Sequence, residues 1–152
     1  MQKNPGALPD HLGYWLRKLS NAVSSSFAAR LAAHDVSVPQ WVVLRVLFDH
    51  DSLPLKDIVA RVEVDQGSLS RMVDRLLARG WVQRVADAAD RRAVAISLTK
   101  EGRRLVPKLA TEADKNEAAF FSGLSESERM KFFQTIQKLL AQNKSDGRSP
   151  IA

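Results

Sequence analysis

Gln66, Ser68, Ser70, Arg71, Arg75 and Arg79 lie in one stretch, QGSLSRMVDRLLAR, at spacings that set them on a helix opposite Leu69, Met72, Val73, Leu76 and Leu77. Arginine and glutamine pair bidentately with guanine and adenine edges, serine hydroxyls donate or accept, and a further arginine neutralises a phosphate. An ordinary solvated helix face has the same composition, so this face alone fits either reading. A second group follows at Ala86–Arg92, where Asp87, Asp90, Arg91 and Arg92 crowd between two apolar runs. An aspartate there can hold an arginine extended for insertion into a narrow minor groove. The alternative is an exposed loop whose ion pair matters little. Charge favours a polyanion: of the chain's net +6, Gln66–Arg104 holds nine basic residues against four acidic ones, an excess of five.

These side chains need elements to hold them. Asp65 can cap a helix that stops before Gly80, a residue suited to the left-handed C-terminal position. A strand at Trp81–Val85 can pair with Val94–Leu98, where Val94, Ile96 and Leu98 alternate with Ala95 and Ser97 as in a half-buried strand. Leu55–Val62 reads as a short helix, and a turn at Glu63–Asp65 joins it to the next as a helix-turn-helix. Lys56 at its start is a candidate phosphate contact, as is Gln40 at the start of the helix before it. In that preceding helix Pro39 suits the first turn, and Trp41, Leu44, Leu47 and Phe48 form an apolar stripe. A long first helix is expected from about Pro9 to Ala33, with Leu12, Trp15, Leu16, Leu19, Val23, Phe27, Arg30 and Leu31 near one side. Thr99 caps a helix to about Ser122, and Ser125 with Glu128 opens a last one as a capping box.

The fold class is therefore mainly α with a small β-hairpin wing: a winged helix-turn-helix with N- and C-terminal dimerisation helices. One domain, 1–152, holds dimerisation helices at about 9–34 and 99–142, the winged helix-turn-helix at about 39–98 and a flexible tail at 143–152. The terminal helices carry more apolar surface than a small winged helix needs, which points to a homodimer. Two copies about a two-fold axis set their reading helices roughly 34 Å apart and call for a pseudo-palindromic operator.

Two pieces, SLSRMVDRLLARGWVQR and DRRAVAISLTKEG, resemble the MarR (multiple antibiotic resistance regulator) family of bacterial transcription factors, and the resemblance runs from about Leu8 to Gln142. It implies a double-stranded DNA partner and assigns the family's D-x-R wing signature to Asp90 and Arg92, the arginine for the minor groove and the aspartate as its brace. It also implies a repressor released by a small aromatic or phenolic effector, bound between the dimerisation helices and the winged helix. His11, Trp15, His34, Trp41 and Arg45 are candidates for that crevice, offering ring faces and partners for a carboxylate. The alternative is that both tryptophans are simply core, the favoured reading for Trp41 and an equal one for Trp15.

Other functions find little support. The absence of cysteine excludes disulfides, thiolate zinc sites and a cysteine-oxidation switch. Glycines at 6, 13, 67, 80, 102, 123 and 147 match neither a dinucleotide fingerprint nor a phosphate loop. His11, His34 and His50 lack the i, i+4 spacing of a helical metal pair, and Ser24–Ser26 has no neighbouring base. No enzyme, metal or cofactor is expected. With no apolar signal and no apolar run long enough for a membrane span, the expected compartment is the bacterial cytoplasm. The rival readings are a dimeric protein-interaction module whose basic face meets an acidic protein, and an architectural DNA binder without sequence preference.

Overall fold

Capping chemistry sets where the helices begin. The computed structural model describes residues 6–62 and 64–143. A short 3-10 turn at Leu8–Asp10 precedes α1, Leu12–Ala32, so the long first helix starts three residues later than its apolar pattern suggests. In α2, Val38–Phe48, the Gln40 N–H donates to Ser37 Oγ (3.3 Å), and the Ser37 N–H donates to the Gln40 side-chain oxygen (2.9 Å). Pro39 occupies the first turn, where its missing N–H costs nothing. A two-residue strand, β1 (Leu53–Pro54), leads into α3, Leu55–Val62. Then come α4 (Gln66–Ala78), β2 (Val82–Ala86), β3 (Val94–Leu98), α5 (Lys100–Phe121) and α6 (Glu126–Asn143). Glu63 and the tail beyond Asn143 lie outside the described residues; Asn143 itself closes α6, its side-chain NH2 donating to Leu139 O (2.7 Å), and is not the first residue of a tail.

Two compact units divide between Asn116 and Glu117. In the first, Leu31, Leu44, Leu47, Ile58, Leu69, Leu76 and Leu109 are fully buried, joined by Val43 and Val106. Each such aliphatic side chain contributes about 2 kcal/mol relative to exposure. In the second unit, Ser125 and Glu128 form the expected capping box: the Ser125 N–H donates to the Glu128 carboxylate (2.8 Å) and the Glu128 N–H to Ser125 Oγ (3.3 Å). Phe121 and Phe132 meet with ring centres 6.4 Å apart, and Arg129 pairs with Glu117 at 2.8 Å.

The sheet departs from the expected hairpin in two ways. It has three antiparallel strands in the order β1-β3-β2, with Leu53 opposite Ile96 and Val82 opposite Leu98, and β2 ends at Ala86, one residue beyond the strand expected. Because β3 is central, it does not alternate: Ala95, Ile96, Ser97 and Leu98 are all buried, while Val94 at the wing end is 55% exposed. Buried Ser97 is satisfied by the Gln83 side chain, whose Nε2 donates at 3.2 Å.

One junction joins α4, the sheet and α5. Gly80 takes φ 71°, its N–H donating to Leu77 O (3.0 Å) and the Trp81 N–H to Leu76 O (3.1 Å), which closes α4 as a Schellman motif. Thr99 then ties back: its N–H donates to Trp81 O (3.0 Å), its hydroxyl donates to Gly80 O (2.6 Å) and accepts the Gly102 N–H (3.1 Å). A Cβ on Gly102 would lie 2.1 Å from the Trp81 carbonyl oxygen, so only glycine fits there. Gly102→Ala should destabilise the protein by about 3 kcal/mol in thermal or urea unfolding. Gly13→Ala, with open space around its Cβ, should leave stability unchanged or slightly raised; equal effects at the two sites would contradict the junction's packing.

Candidate nucleic-acid interface

Helix α4 starts on a carboxylate. Asp65 Oδ1 accepts the Ser68 N–H (2.8 Å), and Oδ2 accepts the Ser68 hydroxyl (2.5 Å). These two bonds, the hydroxyl's first, hold the Asp65 carboxyl below its ordinary range, with help from the charge of Arg71. Arg71 in turn donates from Nη2 to Ser68 Oγ (3.4 Å). The Ser68 hydroxyl thus has its one donor and one acceptor site engaged, leaving a single lone pair for another donor. Gln66, Arg71 and Arg75 are exposed, and Ser70 is half-buried.

Several arginines near this surface are already occupied. Arg79 stacks over the Trp81 ring at 4.3 Å and lies 3.9 Å from Asp35. Arg84 on β2 pairs with Asp74 on α4 at 3.0 Å. Arg103 donates to the carbonyls of Phe48 (3.4 Å) and His50 (3.2 Å), just where α2 ends. Among the described residues, Lys56, Arg71, Arg75, Arg91 and Arg92 belong to no ion pair, and all five are exposed.

In the wing, the expected brace takes another form. Asp90 Oδ1 accepts the main-chain N–H of Arg92 (3.0 Å), not its guanidinium, and Asp87 Oδ1 likewise accepts the Ala89 N–H (3.1 Å). The tip closes through Asp87 N–H to Ala93 O (3.1 Å) and Ala93 N–H to Asp90 O (2.9 Å). A short aspartate satisfies the turn amide two residues ahead more readily than it reaches a long side chain. Asp90 therefore shapes the backbone that carries Arg92 and leaves the guanidinium free. Gln40 is similarly committed through its side-chain oxygen to Ser37, so only its NH2 remains for a phosphate.

The five effector candidates are scattered among separate contacts. His11 is exposed at the start of α1. Trp15 is 51% exposed, with Nε1 donating to Pro9 O (2.8 Å) and Lys18 5.5 Å from its ring centre. His34 lies 3.9 Å from Glu112, whose carboxyl is held low chiefly by Lys115. Trp41 packs edge-on against Phe27, and Arg45 pairs with Asp49 at 2.8 Å. No hydrogen bond, ion pair or ring contact joins any two of the five, and the open cavity of about 610 Å³ between α1 and α2, lined by Ala28, Asp35, Val36 and Gln40, contains none of them.

What the residue pattern did not reveal were the partners of Thr99, Arg103 and Arg84, which lie 10 to 55 positions away along the chain. Ser37 was legible: S-x-x-Q before an apolar run is a capping-box signature.

A family model described as MarR family matches residues 36–94, from the residue before the α2 cap to the first residue of β3. The transcriptional regulator TtmR of Methylorubrum extorquens is 35% identical over 106 residues, 70% of this chain and 54% of that protein, so this chain spans about half its length. The transcriptional repressor NicR of Pseudomonas putida is 25% identical over 147 residues, 97% of this chain and 93% of NicR. The structure of BpsR from Bordetella bronchiseptica, whose DNA binding is regulated by 6-hydroxynicotinic acid, superposes with a TM-score of 0.79 at 29% identity, over 90% of this chain and 97% of that one. Residues 36–94 match the MarR family, and the likeness to BpsR runs along 90% of the chain. The six α-helices and three-stranded sheet of the described residues match the winged helix-turn-helix of MarR structures.

The Asp65 cap has a pH signature. Its carboxyl is lowered from 3.8 on folding, so its ionised form stabilises the fold above that value, and the contribution is lost as pH falls from about 4 through the lower folded value. Asp65→Ala should therefore lower Tm near neutral pH, with the gap to the parent narrowing below pH 4. A gap that stays constant or widens in acid would contradict the assignment.

Proposed function

We propose that this protein is a homodimeric, sequence-specific double-stranded DNA-binding regulator of the MarR family, a repressor released from a pseudo-palindromic operator by a small aromatic or phenolic ligand. The observation that carries the reading is the set of exposed cations on the helix-turn-helix and wing that belong to no ion pair among the described residues: Lys56, Arg71, Arg75, Arg91 and Arg92. Gln66, Ser68, Ser70 and Arg71 read base edges in the major groove. Lys56, Arg75 and the NH2 of Gln40 take phosphates, and Arg92, on the turn that Asp90 shapes, enters the minor groove with Arg91 beside it.

A second copy covers the apolar side chains left in water. Leu12 is 88% exposed on α1 beside Trp15 and Leu16, and Met130, Phe133, Leu139 and Leu140 are exposed on α6. The two-fold axis then spaces half-sites by about 10 base pairs. The repressor role follows NicR, and the effector class follows BpsR, whose ligand is an aromatic acid. In this chain an effector carboxylate would draw Arg45 from Asp49 or meet His34 or His11, against the rings of Trp15 and Trp41. It acts only if it binds the DNA-competent and released arrangements with different affinity.

Two substitutions test the contact roles on the duplex the protein prefers. Arg92→Ala should weaken binding by about 1–3 kcal/mol while the dimer persists in sedimentation; unchanged affinity would remove the wing from the mechanism. Arg75→Ala should reduce the slope of log K against log salt by about 1 and weaken all sequences alike. An effect confined to one base pair would instead make Arg75 a reader.

A further inference from the structure

Asp65, Ser68 and Arg71 stand at three-residue spacing on the first turns of α4 and form a chain of carboxylate, hydroxyl and guanidinium. We infer that Ser68 is a positioning residue: its hydroxyl, fixed by Asp65, aims the Arg71 guanidinium at one base pair, so that preference at that pair depends on Ser68 although Arg71 makes the contact. The inference rests on the DNA-reading function proposed above and assigns Ser68 the work of orienting a reader in addition to any contact of its own.

Hydroxyl valence carries the argument. Ser68 has one proton to donate, and the 2.5 Å bond to Asp65 Oδ2 commits it. That fixes where the lone pairs point, and one of them takes Arg71 Nη2. The guanidinium carries five N–H groups, so after this bond four remain, enough for the bidentate pairing that distinguishes guanine. Arg71 is exposed and belongs to no ion pair among the described residues, so Ser68 is what limits its rotamers before DNA arrives. The charge of Arg71 is felt at Asp65, which stays ionised at neutral pH and keeps the serine proton oriented. Arg75, one turn further on, has no side-chain hydrogen bond among the described residues and is left as a mobile phosphate partner.

Ser68→Ala separates this role from capping, because the residue 68 N–H still donates to Asp65 Oδ1. The test measures binding of the parent, Ser68→Ala, Ser68→Thr, Arg71→Ala and the Ser68→Ala/Arg71→Ala double variant, with Tm recorded for each. The probes are the parent's preferred duplex and every single-base-pair substitution of it, at roughly physiological salt. Arg71→Ala should relax discrimination at one position per half-site by about 5- to 150-fold. Ser68→Ala should relax that same position by about three- to tenfold at nearly parental Tm. At that position it should add nothing in the Arg71→Ala background, and Ser68→Thr should restore the parental preference there. The inference is overturned if Ser68→Ala leaves the position read by Arg71 unchanged, if its effect at that position persists in the double variant, or if it weakens every duplex equally. Those results leave the DNA-reading function standing, whereas a parent with no preference among the duplexes removes both.

Discussion

The Thr99 hydroxyl donates to the carbonyl of Gly80 and accepts the N–H of Gly102, while its own amide holds the carbonyl of Trp81. Four elements meet at that residue: the end of the reading helix, the start of one wing strand, the end of the other and the first turn of α5. The bonds are short and run to backbone atoms, so the wing cannot pivot freely about the helix that it accompanies. Gly80 permits the chain to reverse with φ 71°, and Gly102 permits α5 to approach within a distance that a methyl group would forbid. Under the proposed function, which sets α4 in one groove and the hairpin tip in another, that angle is what the two contacts share.

The charge of this region divides into two parts. Of the nine basic residues in Gln66–Arg104, Arg79, Arg84 and Arg103 are engaged with Trp81 and Asp35, with Asp74, and with the carbonyls at the end of α2. They fasten the helix, the strand and α5 in place. Others, including Arg71, Arg75, Arg91 and Arg92, are exposed and belong to no ion pair among the described residues, which is the arrangement that gains most from displacing counterions on a polyanion. Net charge alone does not distinguish the two sets; geometry does.

Much of this was legible because it is local. Asp65, Gly80, Ser125 and Glu128 act within a few residues of themselves, as does Thr99 in capping the Gly102 N–H, and the helices that they bound fall within about three residues of the pattern. What was not legible depends on partners distant in sequence. Leu53 and Pro54 are too few, and too unlike a strand, to announce β1, yet their pairing makes β3 central and buries Ala95 and Ser97. Asp90 was expected to brace the arginine, and it is found on the backbone amide of Arg92, which the turn offers at short reach. For the effector, residue type alone named His11, Trp15, His34, Trp41 and Arg45, and the fold gives each its own neighbour.

The measurement that bears most directly on the account is selection of bound sequences from a random duplex library at roughly physiological salt, where phosphate attraction alone enriches nothing. A rigidly joined reading helix and wing, presented twice about a two-fold axis, should enrich a symmetric motif with half-sites about 10 base pairs apart. Binding that enriches no motif, or none by the folded, unliganded protein, would contradict it.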